Sequence, residues 1–284
     1  ANNRFIRNWH EVNIQKVGFE ISSRTESIIS EKKWFPVNKG GGQRKWYGNQ
    51  TEVINWENDG HDIRNYRGAV LRADDCHFKS TVTWNKISGV YVTFRYVPKG
   101  FVLESASNAI SVEYPESLLA LLQSKLSTII ANILNATTNL SNGVVARFPL
   151  LTISDEALLS IVHQSISTAK KDWDAHETSW NFEENPLISI FKENGGTLKQ
   201  ALDYFVEKWT DSFFELHDNE EELNRQFIEM YGLQDELTKD VPLNEVTILQ
   251  QKEIKVENGQ LKWNKDVILK QLISYAIGCM MGRY

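Results

Sequence analysis

Apolar positions along the chain change rhythm near residue 115. From about 22 to 114, short runs rich in Val, Thr, Tyr and Trp alternate with turn residues, a pattern that predicts strands. Residues 82–84 and 89–96 are the clearest of these. The second leads into the turn Pro98-Lys99-Gly100, after which 101–103 reads as a return strand. Lys39-Gly40-Gly41-Gly42-Gln43 reads as a flexible turn, because glycine reaches φ values that other residues avoid. Residues 4–21 mix helix and strand signals and stay ambiguous. Beyond Pro115 the period becomes helical: Leu118, Leu119, Leu122, Leu126, Ile129, Ile130 and Ile133 share one stripe and predict a helix over 116–134. A polar turn and a short strand at 144–146 follow. Helices are predicted over 154–173 with Ser154 as N-cap, over 197–216, over 219–231 ending at Gly232, and over 265–281. Glu257-Asn258-Gly259 predicts a hairpin turn within 247–263. The fold class is therefore α+β, with a β-rich domain over 1–114 and a mostly helical domain over 115–284.

Composition adds a charge split. The 284 residues carry a net charge of -6. Residues 1–150 hold 18 basic and 13 acidic residues, a net of +5, whereas 151–284 hold 13 and 24, a net of -11. A nucleic-acid site thus belongs in the first half, and the second half reads as an acidic, solvated face. No apolar run approaches the roughly 18 residues of a membrane span. The opening Ala1-Asn2-Asn3-Arg4 lacks the apolar core of a signal peptide. The two cysteines, Cys76 and Cys279, lie far apart and form no disulfide framework, so a reducing cytoplasm is the simplest compartment.

Most catalytic signatures are missing. The six prolines are isolated, which excludes the (Asp/Asn/Ser)-Pro-Pro-aromatic motif of amino-methyltransferases within these residues. No glycine-rich loop follows an apolar strand and opens a helix, so no nucleotide or methyl-donor pocket is visible. Glu31-Lys32-Lys33 and Glu253-Ile254-Lys255 resemble the tail of an acidic nuclease triad, but no Pro-Asp precedes them. The six histidines show no metal-ligand spacing.

Segment 32–49 is different. Lys33, Trp34, Lys39, Gln43, Arg44, Lys45, Trp46, Tyr47 and Asn49 interleave cations, amides and aromatics around the glycine turn. Lys86, Arg95, Tyr96 and Lys99 repeat that chemistry downstream. Cations neutralise phosphates, amides and Arg read base edges, and Trp or Tyr stack on bases or line a groove. Together these residues form the candidate DNA-binding set; no catalytic or metal residue is assigned. The same composition also fits a β-domain with a cationic face and core tryptophans.

The two clusters carry a resemblance. Lys33-Trp34-Phe35-Pro36-Val37-Asn38-Lys39-Gly40-Gly41, Arg44-Lys45-Trp46-Tyr47-Gly48-Asn49 and Val53-Ile54-Asn55-Trp56-Glu57-Asn58-Asp59-Gly60 resemble the large adenine-specific DNA methyltransferases of BREX phage-defence systems. The likeness continues through Thr83–Gly89, Phe94–Phe101, Leu119–Lys125, Tyr231–Leu237 and Ile273–Tyr284. Leu103-Glu104-Ser105-Ala106-Ser107-Asn108-Ala109-Ile110 departs from it, where a tighter Asp- and Gly-bearing turn is expected.

The resemblance implies a C-terminal part that selects the adenine. In such proteins the methyl-donor pocket and the Asn-Pro-Pro-Tyr motif lie upstream. S-adenosylmethionine then serves the full-length protein, and no cofactor is expected in this part. Implied partners are double-stranded DNA, an upstream methyltransferase domain in cis, and further candidates among phage-defence proteins or a phage DNA-mimic inhibitor, with no membrane. Two other readings stay open: the specificity region of a fused type II restriction–modification enzyme, and a protein-interaction module without DNA binding.

Overall fold

A computed structural model describes residues 2–71, 74–85, 92–104, 108–135, 139–150 and 155–284. It is an α+β structure whose chain divides into two compact units, 1–163 and 164–284. In chain order the first unit holds α1 (Asn2–Phe5), β1 (Ile6–Asn8), α2 (Arg24–Ile29), β2 (Trp34–Asn38), β3 (Glu52–Asn55), α3 (Glu57–Arg64), β4 (Thr81–Trp84), β5 (Phe94–Val97), β6 (Val102–Leu103) and β7 (Asn108–Ile110). Helices α4 (Pro115–Gln123), α5 (Lys125–Leu134) and α6 (Asn142–Val145) complete it, and the division falls inside α7 (Glu156–Asp174). The second unit holds α8 (Pro186–Asn194), α9 (Leu198–Met230), the hairpin β8 (Ile254–Glu257) and β9 (Gln260–Trp263), and α10 (Lys265–Met280).

Two small sheets build the first unit. One has the order β1-β3-β2-β6, the other β5-β4-β7. Alternation along β2 and β3 sends Phe35, Val37 and Ile54 into a core with Trp56, Phe78 and Val102. Phe35 and Phe78 meet edge-on, with centroids 5.8 Å apart. A buried polar link joins the sheets: Asn38 Nδ2 of β2 donates to Thr83 Oγ1 of β4 at 2.9 Å, and that hydroxyl donates to the Asn108 carbonyl at 2.8 Å. α2 and α3, which the β-like pattern of 22–114 does not predict, are joined by the Arg24–Asp59 ion pair. Helix α4 packs on β4 and β5. Gln123 Nε2 of α4 donates to the Phe94 carbonyl at 2.8 Å, and Trp84 Nε1 donates to the Leu140 carbonyl at 2.9 Å. The helices after Pro115 therefore belong to the same unit as the strands before it.

Four elements differ from their sequence pattern, each for a local reason. The stripe over 116–134 forms two helices bent by 81° rather than one. Ser124 sits at ψ 153°, its hydroxyl donating to the Leu121 carbonyl at 2.7 Å, while the Ser127 hydroxyl donates to Leu122 at 2.6 Å. Hydroxyls here take carbonyls that helical N–H groups would otherwise claim. The expected break between 216 and 219 is absent, and α9 runs unbroken for 33 residues. Its stripe of Phe213, Leu216, Leu223 and Phe227 stays buried across His217, Asp218 and Asn219, and packing outweighs their capping tendency. Residues 142–145 form a helical turn on the Ser141 carbonyl instead of a strand. Residues 102–103 do not return along β5. They pair parallel with β2, matching Val37 to Val102, because left-handed Gly100 (φ 104°) redirects the chain. Within the predicted strand 89–96, residues 89–91 lie outside the described residues, as do Ser154 and residues 105–107; the strand itself is β5 over 94–97. The hairpin forms as predicted, with Asn258 and Gly259 left-handed between β8 and β9.

Among the described residues no single helix is long and apolar enough to cross a membrane.

The second unit is organised around a buried charged pair. His176 Nδ1 lies 2.7 Å from the Asp172 carbonyl, and Nε2 lies 2.7 Å from Glu253 Oε1. Both ring nitrogens face acceptors, so the ring is held as an imidazolium that donates both protons. Glu253 Oε1 also accepts from Gln271 Nε2 of α10 at 2.7 Å. Burial opposes the charge on His176, but the Glu253 hydrogen bond and the Asp172 charge raise its pKa above the ordinary 6.5. Burial likewise works against the Glu253 carboxylate, yet His176 and Gln271 hold its pKa below the ordinary 4.5. The pair's contribution to stability is complete between those ordinary values of 4.5 and 6.5. It falls away as pH drops through the folded value of Glu253, and again as pH rises through that of His176. Urea unfolding across pH is expected to show both declines. Glu253→Ala, which leaves a buried imidazolium unpaired, is expected to lower stability by about 3 kcal/mol and to remove this pair's share of the acidic decline.

Candidate nucleic-acid interface

The structure brings the two basic–aromatic clusters together. Trp46 N–H donates to the Phe94 carbonyl at 2.9 Å, and Tyr96 N–H donates to the Trp46 carbonyl at 2.7 Å, laying residues 44–47 beside β5. Trp46 and Asn49 are left-handed there, at φ 67° and 63°. Trp46 is fully buried and Tyr47 nearly so. Their rings belong to the core and are not presented for stacking.

The cations divide by burial. Arg44, Lys45 and Arg95 are 5%, 6% and 1% exposed. Arg44 Nε donates to the Tyr47 carbonyl at 2.7 Å and closes the local turn. Arg95 Nη1 donates to the Arg44 carbonyl at 3.3 Å, and Nη2 donates to Asn85 Oδ1 at 3.0 Å. Burial, and then repulsion from Arg44, lowers the Arg95 pKa to about 10, which leaves it charged at neutral pH. The two guanidinium heads hold backbone in place, whereas a groove contact requires an exposed donor.

What they hold is the glycine loop. Asn85, oriented by Arg95, donates through Nδ2 to the Gly41 carbonyl at 2.8 Å. Asn49 Nδ2 donates to the Gly42 carbonyl at 2.8 Å. Asn38, anchored to β4, ends the strand that runs into the loop. Three asparagines and one buried arginine thus fix a segment, Gly40–Gln43, whose outer surface is exposed. Lys39 borders it, half-buried, and pairs with Glu52 at 2.8 Å. Asn38 and Asn85 stand outside the candidate set read from the sequence. Asn38 precedes the glycine turn directly, whereas Asn85 lies 44 residues from Gly41 and carries no local signal.

The remaining candidates lie elsewhere. Half-buried Lys33 pairs with Glu57 at 3.6 Å, next to half-buried Trp34, at the end of β2 away from Lys39. That is roughly 20 Å along the strand, at about 3.3 Å per residue. The Tyr96 hydroxyl, half-buried, donates to Ser80 Oγ at 3.3 Å. Lys99 is exposed on its turn. Lys86 lies outside the described residues. Among the described residues no group of three or more His, Cys, Asp or Glu side chains could hold a metal ion.

A Cβ at Gly41 would fall 2.6 Å from the Asn49 amide, whereas one at Gly42 meets nothing within 4 Å. Gly41→Ala is therefore expected to expel Asn49 and cost about 1 kcal/mol in thermal unfolding, with Gly42→Ala within about 0.5 kcal/mol of the parent.

No protein-family model matches the chain. It is 35% identical over 292 aligned residues, 99% of its length, to the adenine-specific methyltransferase PglX of Lacticaseibacillus casei (strain Zhang). It is 32% identical over 288 residues, again 99% of its length, to the adenine-specific methyltransferase BrxX of Escherichia coli O9:H4 (strain HS). The chain spans 23% of the length of each. Over nearly its whole length, then, the chain is homologous to a segment of the adenine-specific methyltransferases PglX and BrxX.

Proposed function

We propose that this chain is the DNA target-recognition part of a cytoplasmic adenine-specific methyltransferase in phage defence. It selects which adenine is methylated at N6 by a catalytic domain outside these residues. The observation that carries the reading is the glycine loop, exposed on its outer face and fixed from within by Asn38, Asn49, Asn85 and Arg95. Base-edge readout requires donors and acceptors held rigidly while the backbone approaches closely, and a bare tri-glycine surface on a buttressed base supplies both.

Roles follow from exposure. Gln43, exposed at the loop's end, is the base reader, and Asn49 beside it holds the loop in place. Lys39 exchanges Glu52 for a phosphate; a partly exposed ion pair is worth at most about 1 kcal/mol, so the exchange is cheap. Lys33 and Lys99 are further backbone anchors. Arg44, Lys45, Trp46, Tyr47 and Arg95 act as positioning residues. The methyl donor, S-adenosylmethionine, and the transfer step are assigned to the rest of the polypeptide. The chain has no Pro-Pro pair. An apolar cavity of about 170 Å³ between Phe5, Ile54, Ile63 and Val102 is lined mostly by aliphatic side chains and does not fit a charged nucleoside.

The test is Gln43→Ala in the full-length enzyme, with methylated sites sequenced genome-wide. Loss of this reader is expected to relax specificity at a single base pair, a discrimination of about 1–3 kcal/mol. An unchanged recognition sequence and unchanged DNA affinity would return the chain to the protein-interaction reading.

A further inference from the structure

A cleft of about 420 Å³ in the first unit opens beside Tyr96 and Lys99. Three left-handed residues shape this corner: Glu20 at φ 60°, Phe78 at φ 66° and Gly100 at φ 104°. Phe78 N–H donates to the Phe101 carbonyl at 2.7 Å, and Gly100 N–H donates to the Phe78 carbonyl at 3.2 Å. A Cβ at Gly100 would sit 3.1 Å from the Glu20 nitrogen. Left-handed backbone at two non-glycine positions persists only where its surroundings over-determine it, and such corners gather at binding sites.

The cleft's lining mixes hydroxyls with two cations. Tyr96 donates to Ser80 Oγ at 3.3 Å, and Ser111 Oγ donates to the Ser80 carbonyl at 3.4 Å. Lys79 and Lys99 are exposed on the cleft. Neither pairs with a carboxylate among the described residues, although Glu113 and Glu116 line the same cleft. By contrast Lys39, Lys192 and Lys265 each hold an acidic partner. Glu116 lies in the first turn of α4, where a carboxylate suits the helix N-terminus.

We infer that this cleft clasps one phosphodiester of the DNA, with Lys79 and Lys99 as its cations and the Ser80 hydroxyl, which accepts from Tyr96, as a donor. The inference rests on the target-recognition reading and adds a contact that fixes register without reading sequence.

The experiment measures binding of the full-length methyltransferase to a duplex oligonucleotide carrying its recognition sequence, over a range of salt concentrations. Methylated sites are sequenced in parallel. Lys79→Ala and Lys99→Ala are each expected to reduce the slope of log K against log salt by about 1, with the recognition sequence unchanged. Lys79→Arg is expected to keep the parental slope. An unchanged slope in the double alanine variant, with thermal unfolding intact, would overturn the inference, and so would a changed recognition sequence. If instead the slope falls while Gln43→Ala leaves the recognition sequence intact, the phosphate clasp stands and base reading by the glycine loop fails.

Discussion

A buried guanidinium organises the first unit. Arg95 is almost wholly enclosed, and its donors reach the Arg44 carbonyl and the Asn85 amide. Through the first it joins β5 to the segment 44–47. Through the second it orients the side chain that holds the glycine loop. A charge taken out of water demands acceptors in fixed positions. That demand turns a tri-glycine run, which alone would sample many conformations, into a defined surface. The sheets carry the same logic through Asn38 and Thr83, where one amide and one hydroxyl secure the strand that feeds the loop.

Residue types announced the chemistry better than its placement. The interleaving of Lys, Arg, Trp and Asn over 32–49 marked one segment, and the structure brings its residues 44–47 against β5. Which of those cations face solvent was not legible. Arg44 and Lys99 look alike in sequence, yet one closes a buried turn and the other stands exposed. Burial depends on the long-range pairing of residue 46 with residue 95, which no local pattern encodes. For the same reason Asn85 did not enter the candidate set: the glycine carbonyls it holds lie more than forty residues away.

Among the longer helices, periodicity was reliable for existence and poor for continuity. The stripe over 116–134 is truly helical, but apolar spacing cannot register that Ser124 and Ser127 divert carbonyls to their hydroxyls. The opposite error occurred in α9, where capping residues suggested a stop that the buried stripe overrode. Short helices α2 and α3 escaped notice inside a β-like stretch. Ser23 does cap α2, with Glu26 three residues on, a signature short enough to be lost among strand signals. The Asn258-Gly259 turn was legible because its chemistry is entirely local.

The attachment of α4 to the strands bears on where this segment can be cut when it is transplanted between homologues. A transplant cut at 114 follows the visible change in sequence texture. It would strip β4 and β5 of the helix bearing Leu118, Leu119, Leu121 and Leu122, all buried, and would leave Phe94 without Gln123. An apolar sheet face stripped bare in this way invites association between molecules. The module that moves as one piece extends to the division inside α7, so a graft junction belongs beyond the helices and not before them.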